Sequence, residues 1–558
     1  MKKIGAFMLA AGLAITGCGK DNALQSNMQD GPMPLSKPAS KLANPRSVVM
    51  ATLMQNGSPV SGATVALSRS VAGLAADYRW MGTTNASGVA SIEVLSDRGD
   101  ASGYYQMRAT NALGSVLGQW GSVPINGGFE QNVTLSVGGS AQVKMGPSIV
   151  PKTVFTVRVE NVSVAYPYIA SGAFNTPEGA SAPGPALPGS AYVFGFDAAP
   201  GSRLSFATMF VQSNDLFYAP DETGIALWNT NGTAISGDIT GLIKLWDSGT
   251  EINQTLGTGP DQAPRQAGPN TGAVDPNNTV RLAETVGVPA VANVIRVTVS
   301  SVGTRFTVRI ENVSGSSSLP TPFAPGVFVV HSDGAPLFGN GVADRGEGLE
   351  AIAEDGNPTA LAGVLAGKTG VTGPLAPGVF AAHTGSDVLF LAGAADRKEG
   401  LEALAEDGNP AALATAVAAR AGVGVSGAFA VPVGATGPGP LFPGNAYTFT
   451  FSATPGEKLS FATMFVQSND WFYAPNGNGI ALWTSGGNPI SGDITNMIRL
   501  WDSGTEIDQV PGVGLDQAPR QSGANTGAVD PNNTVREVND ARIPAVDRVI
   551  KVTITSEG

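Results

Sequence analysis

Leu459–Pro475 reads LSFATMFVQSNDWFYAP, and Leu204–Pro220 reads LSFATMFVQSNDLFYAP. The echo continues downstream through SGDIT, LWDSGTEI, DQAPRQ and NTGAVDPNNTV, so that Asp215 maps to Asp470, Trp246 to Trp501 and Asp275 to Asp530, each pair 255 residues apart. A constant offset over so long a stretch marks an internal duplication. Any function has to reside in what both copies keep.

Working outward, FTVRVENVS at Phe155–Ser163 returns as FTVRIENVS at Phe306–Ser314, only 151 residues on. The difference between the two offsets is 104 residues, which is itself two units of 52. Pro325-Gly326-Val327-Phe328 recurs at Pro377-Gly378-Val379-Phe380, and Glu354-Asp355-Gly356-Asn357-Pro358 at Glu406-Asp407-Gly408-Asn409-Pro410. Read linearly, copy one spans 150–300 and lacks this unit, while copy two spans 301–558 and carries it twice. Leu349–Glu354 and Leu401–Glu406 are expected to form short helices stopped by glycine, with Pro358 and Pro410 opening a further helical run.

Between Ser47 and about residue 138 the pattern is short alternating apolar runs with turn signals, Asn56-Gly57 the clearest of them. The series NGSPVSGATVAL, TNASGVASIEV and YYQMRAT resembles the small sandwich of carboxypeptidase regulatory-like, prealbumin-like or Ig-like modules. Residues 19–46 are polar and aperiodic, as a flexible tether would be. At the N-terminus Lys2 and Lys3 precede the apolar run Ile4–Ile15, followed by Thr16-Gly17-Cys18, which reads as an export signal. The only cysteine, directly after Gly17, resembles a bacterial lipobox. That resemblance implies a signal peptide over 1–18, lipidation of Cys18, and anchoring in the cell envelope without a membrane-spanning helix. Gly19, where Asp is absent, goes with sorting to the outer membrane.

Composition agrees with an all-β chain of tandem sandwiches. Gly 73 and Pro 39 punctuate many short strands, and 42% hydrophobic residues allow sizeable cores. The net charge of −12 and the lack of clustered Lys and Arg exclude a nucleic-acid partner.

FTVRIENVS, PGVF, GLEALAEDGNP, LSFATMFVQSNDWF and LWDSGTE, in that order, closely resemble the spondin N-terminal domain, a family that includes bacterial lipoproteins and animal matrix proteins. The resemblance covers both large repeats. It implies two C2-like β-sandwiches, the last with short helical insertions, a calcium ion at one end, and a role in cell adhesion rather than catalysis. Carried over residue by residue, the implied ligands are Asp470, Asp502 and Glu506 in copy two and Asp215, Asp247 and Glu251 in copy one. Glu506 and Glu251 stand where the family has Asp. Hard carboxylate oxygens around a Gly-containing loop suit Ca²⁺, whereas acids at strand ends also serve as turn caps. Asp238 and Asp493 read as such caps, and Asp261–Arg265 and Asp516–Arg520 as local salt bridges.

An enzyme is not expected. His331 and His383 occupy equivalent positions of the duplicated unit, with no ligand spacing around them, and copy one in the linear reading has no histidine. No nucleophile elbow or phosphate loop is present. Trp228, Trp246, Trp483 and Trp501 are expected core anchors, whereas Trp471, beside the acids, is a candidate ligand contact. The partner is expected to be a protein or glycan at the cell surface. Calcium-dependent glycan or lipid binding and a purely structural envelope role remain open beside adhesion.

Overall fold

The computed structural model describes residues 46–72, 74–95, 101–148, 152–284 and 287–557. The export signal, Cys18 and the tether, except Arg46, lie outside the described residues. The chain divides into two compact units, Met1–Ile149 and Val150–Gly558. Both are built from β-sheets, as expected. Among the described residues no helix is long and apolar enough to cross a membrane.

The first unit is a sandwich of a five-stranded and a four-stranded sheet. Arg46–Gln55 alternates buried and half-buried residues, and pairs parallel with Phe129–Ser136 and antiparallel with Val89–Leu95. Asn56 and Gly57, both at positive φ (53° and 80°), close its tight turn onto Ser58–Pro59. The unit runs past the expected boundary at 138. Ala141–Ser148 adds an edge strand to Phe129–Ser136, and its Gly146 and Pro147 hid it from a pattern search.

The second unit holds two sandwiches, but they are not the linear halves 150–300 and 301–558. In one, a four-stranded sheet (Ala191–Asp197, Arg305–Asn312, Ile295–Val302, Gly237–Asp238) faces a larger sheet. That sheet runs Tyr168–Phe174, Phe323–His331, Arg203–Phe210, Leu216–Ala219, Lys244–Asp247, Arg281–Leu282. In the other, the four-stranded sheet is Ala446–Ala453, Thr153–Asn161, Ile550–Glu557 and Gly492–Asp493. Its larger partner runs Val423–Phe429, Leu375–His383, Lys458–Phe465, Trp471–Pro475, Ile498–Asp502, Arg536–Glu537. Thus the first FTVRVENVS strand completes the second sandwich, and the second FTVRIENVS strand completes the first. One sandwich, closed by residues 168–367, is inserted in the other between Asn161 and Leu375.

The cause is local. Ile295–Val302 and Arg305–Asn312 form a hairpin across only Gly303 (φ 57°) and Thr304. A two-residue closure costs the least chain entropy, so this strand takes the slot beside its sequence neighbour. The corresponding slot beside Ile550–Glu557 is filled by Thr153–Asn161.

The 52-residue units are shared out in the same way. Phe323–His331 lies between Tyr168–Phe174 and Arg203–Phe210, so the first sandwich does not lack the unit. Each unit adds two helices: α1 (Leu349–Asp355) and α2 (Thr359–Gly367) in the first sandwich, α3 (Leu401–Asp407) and α4 (Ala411–Ala418) in the second. Gly356 and Gly408 end α1 and α3 in the left-handed conformation, with Pro358 and Pro410 at the caps of α2 and α4. The helices cover the outer face of the larger sheet. Leu349, Ile352, Leu361 and Leu365 pack with Ala207, Phe217 and Trp246, and the second sandwich repeats this.

Two motif residues acquire reasons. A Cβ on Gly326 would sit 2.1 Å from the Ala207 carbonyl oxygen, and one on Gly378 2.2 Å from that of Ala462, so PGVF needs its glycine. Asn161 and Asn312, from the ENVS motifs, are buried latches between segments. Asn161 Nδ2 donates to the Gly373 and Leu441 carbonyls, both at 2.8 Å, and its Oδ1 accepts from Ser163 N at 3.0 Å.

Candidate functional site

The site lies at one end of the larger sheet of the second sandwich. Ser468 Oγ accepts from Trp471 N at 3.0 Å and donates to the Phe465 carbonyl at 2.7 Å, which turns the chain tightly into Trp471–Pro475. This sets Asp470 opposite the end of Ile498–Asp502. The following SGT loop folds over it through Gly504 (φ 72°), where a Cβ would meet Thr534 backbone at 2.6 Å. Asp470 Oδ2 then accepts from Ser503 Oγ (2.9 Å), Thr505 N (2.8 Å), Thr505 Oγ1 (3.1 Å) and Glu506 N (3.1 Å). Its Oδ1 is buried with no hydrogen-bond partner.

Asp470, Asp502 and Asp508 each bring one carboxylate oxygen to within 4.8 Å of the others, the only such group of three His, Cys, Asp or Glu among the described residues. Burial first, and then Asp470 and Asp508, push the Asp502 carboxyl up to about 8. Burial and Asp470 also raise Asp508. Arg536 is the resident counter-charge, with its guanidinium on Asp502 and on Asp530 (2.7 Å) and 3.8 Å from Asp508. Three hard oxygen donors, Asp470 and Asp502 buried and Asp508 exposed, with one Asp470 oxygen unpartnered, form a set that a divalent cation of the calcium class fits.

Two of the three expected ligands of this copy therefore meet, and the third is replaced. Glu506 is buried but turned aside: Oε2 accepts from Asn469 Nδ2 (3.1 Å) and Oε1 from Gly527 N (2.7 Å). Asp508, two residues on, takes the place. The sequence reading missed it: it is on a loop with no periodic signal, and its place in the acidic string DSGTEID is the one signal that could have found it.

In the first sandwich Asp215 and Asp247 repeat the arrangement, and burial with Asp247 pushes Asp215 up to about 7. Glu251 is again turned aside, onto Asn214 (3.1 Å) and Gly272 N (2.7 Å). The residue matching Asp508 is Asn253, whose Nδ2 donates to Asp247 Oδ2 at 2.6 Å. An amide stands where the third carboxylate would be. Arg281 bridges Asp247 (2.7 Å) and Asp275 (2.6 Å).

Trp471 is not an exposed contact. It is 2% exposed and its Nε1 donates to Asp508 Oδ1 at 2.6 Å, orienting that carboxylate. Leu216 in the other copy has no such donor. Asp238 and Asp493 cap the turns after them, each accepting from a Thr N two residues on at 2.8 Å. Asp261 and Asp516 make no salt bridge with Arg265 and Arg520. They accept from Gln254 and Gln509, and each Arg instead donates to neighbouring carbonyls and Gln side chains.

His331 and His383 are fully buried. In each, Nδ1 lies 2.9 or 3.1 Å from a backbone carbonyl, which can only accept, so Nδ1 carries the proton. Nε2 then accepts from Ser205 or Ser460 Oγ, at 2.9 and 2.8 Å. Burial lowers both imidazoles below the usual range.

No family model matches the chain, and no curated protein matches it. Among solved structures it is similar to BcpA, the major pilin subunit of Bacillus cereus, at 10% identity and a TM-score of 0.11, over 51% of this chain and 58% of that one. A variant of the same pilin subunit aligns with the same identity, coverage and score.

Proposed function

We propose that the chain is a non-catalytic, lipid-anchored protein of the cell envelope, with outer-membrane placement. Its interlocked spondin-like sandwiches present a calcium-stiffened loop end for adhesion or protein interaction. The observation that carries the reading is the convergence of Asp470, Asp502 and Asp508 with the Asp470 Oδ1 left without a partner. Calcium supplies the missing charge, holds the SGTEID loop and leaves catalysis no part. The spondin-like motif order supports adhesion over enzymatic work, and the Cys18 lipobox supports the anchor. Glycan binding loses its aromatic at this point, because Trp471 is in the core.

The test is thermal unfolding of the full chain in calcium and in chelator. A cation bound only by the folded state stabilises by about 2.7 kcal/mol at about 100 times its dissociation constant. A calcium-dependent rise, lost in Asp502→Asn and Asp508→Asn and kept in Glu506→Gln, is expected. An unchanged midpoint at millimolar calcium removes the calcium reading. Release from the membrane fraction in Cys18→Ser tests the anchor separately.

A further inference from the structure

The first sandwich is joined to the second by two segments, residues 162–167 going out and 368–374 coming back. They run side by side. Tyr166 N donates to Thr372 Oγ1 at 2.9 Å, and Gly370 N donates to the Tyr168 carbonyl at 3.0 Å. The Tyr166 ring lies on Gly370, where a Cβ would sit 2.8 Å from it. A cleft of about 310 Å³ opens where these segments meet both sandwiches. Its walls are Tyr166 and Tyr168, Pro200 in a turn of the first sandwich, and Pro511 and Pro519 in a loop of the second. Ligand sites gather at junctions between folded bodies, and this volume is at the small end of their range, which limits the occupant to a small group.

Arg520 lines the cleft with its charge unbalanced. Its Nε donates to the Gly514 carbonyl at 2.7 Å, and its Nη2 to Gln467 Oε1 at 3.0 Å and to Gln517 Oε1. Nη1 has no partner among the described residues. Burial pulls the guanidinium down to about 10, and no acid offsets it. Gln467 also lines the cleft, and with its Oε1 taken by Arg520 its Nε2 is a donor without a partner among the described residues. No aspartate or glutamate among the described residues lines the cleft, in a chain whose net charge is −12. A desolvated cation with donors to spare and no acid beside it is a place for an anion rich in acceptor oxygens.

The duplication supplies the comparison. Arg265 makes the matching contacts in the first sandwich, Nε to the Gly259 carbonyl at 2.8 Å and Nη2 to Gln262, so those bonds serve the loop in both copies. The segment after Arg305–Asn312, VSGSSS, has no aromatic residue, whereas the segment after Thr153–Asn161, VSVAYPY, brings both tyrosines. The cleft is a product of the interlock, not of the repeat.

We propose that this cleft binds a carboxylate-bearing sugar, its carboxylate held by Arg520 Nη1 and Gln467 Nε2 and its ring face by Tyr166 and Tyr168. Hydrogen bonds from a guanidinium to a carboxylate are charge-assisted and among the strong ones. Tyrosine rings offer an apolar face with a polar tip, which suits the C–H side of a pyranose. The hydroxyls of Ser332 and Thr372 at the same cleft suit a sugar's hydroxyls better than they suit an apolar side chain.

The test is titration calorimetry of the full-length protein with glucuronate and with N-acetylneuraminate, against glucose and acetate. Saturable binding of at least one acidic sugar is expected, roughly tenfold or more tighter than either control, and equal in calcium and in chelator, which separates this cleft from the aspartate site. Arg520→Gln is expected to weaken it by roughly tenfold or more, while Arg265→Gln leaves it unchanged. Arg520 also holds its loop. Should its variant fold poorly, Ser332→Glu decides instead, because it sets a like charge at an exposed position of the cleft and is expected to weaken binding to the same degree. The proposal is overturned if neither acidic sugar saturates, if glucose or acetate binds as tightly, or if the deciding variant keeps wild-type affinity. Tighter binding of alanyl-alanine than of either acidic sugar would overturn the sugar class and assign the cleft to peptide chain ends.

Discussion

Asp502 shows how one side chain turns charge into a pH response. Its folded-state value near 8 lies above the usual carboxylate range, so between about pH 4 and 8 the folded state holds a proton the unfolded state has released. Without calcium, its contribution to stability is complete below about pH 4 and is lost as pH rises through 8. Asp502→Asn is therefore expected to flatten the fall in stability between pH 5 and pH 8, read from urea midpoints in chelator. A slope as steep as wild type's would mean that Asp502 is ionised throughout. Calcium competes with the same proton, so its stabilisation of wild type should grow over that interval. Asn161 is a second residue with a measurable weight. Asn161→Ala leaves the Gly373 and Leu441 carbonyls without their donor, for an expected loss of about 1–3 kcal/mol. Equilibrium denaturation monitored by tryptophan fluorescence measures it.

At the scale of elements, local patterns were legible and partnerships were not. The glycine stops and proline starts of α1 to α4 are plain in GLEA(I/L)AEDGNP, and the Asn56-Gly57 turn in the small sandwich is equally clear. Asp470 and Asp502 could be named only through the spondin-like motifs that carry them, because an acid beside a turn is as readily a cap, as Asp238 and Asp493 are. Asp508 could not be separated from Glu506, since the choice depends on how the SGT loop curls over Asp470 and hands Glu506 to Asn469 and Gly527. Trp471 was ambiguous for a similar reason: a tryptophan next to acids is equally a surface contact or a core ring that donates its N–H. Trp471→Phe keeps the packing and removes the donor to Asp508. It is expected to weaken calcium binding several-fold with little change in the calcium-free melting temperature, measured by titration calorimetry and calorimetric unfolding.

The whole molecule is decided by which strand fills which slot. Residues 168–374 contain every strand of the first sandwich, and that fragment is expected to unfold in a single cooperative step when expressed alone. Residues 150–300, the linear repeat, lack Phe323–His331 from the middle of the larger sheet, together with α1 and α2. That fragment is expected to show no cooperative unfolding, which near-ultraviolet circular dichroism during a thermal scan would reveal.

The sequence by itself determined the all-β class, the duplication, the 52-residue units and most of the acids at the loop end. These are properties of local pattern and composition, which act over a few residues. Tertiary structure alone decided that the two copies interlock. FTVRVENVS and FTVRIENVS have the same alternation and the same buried face, so either fits either sheet. The selection is made by the two-residue turn at Gly303-Thr304, whose low closure entropy holds Arg305–Asn312 to the strand before it and leaves the distant slot to Thr153–Asn161.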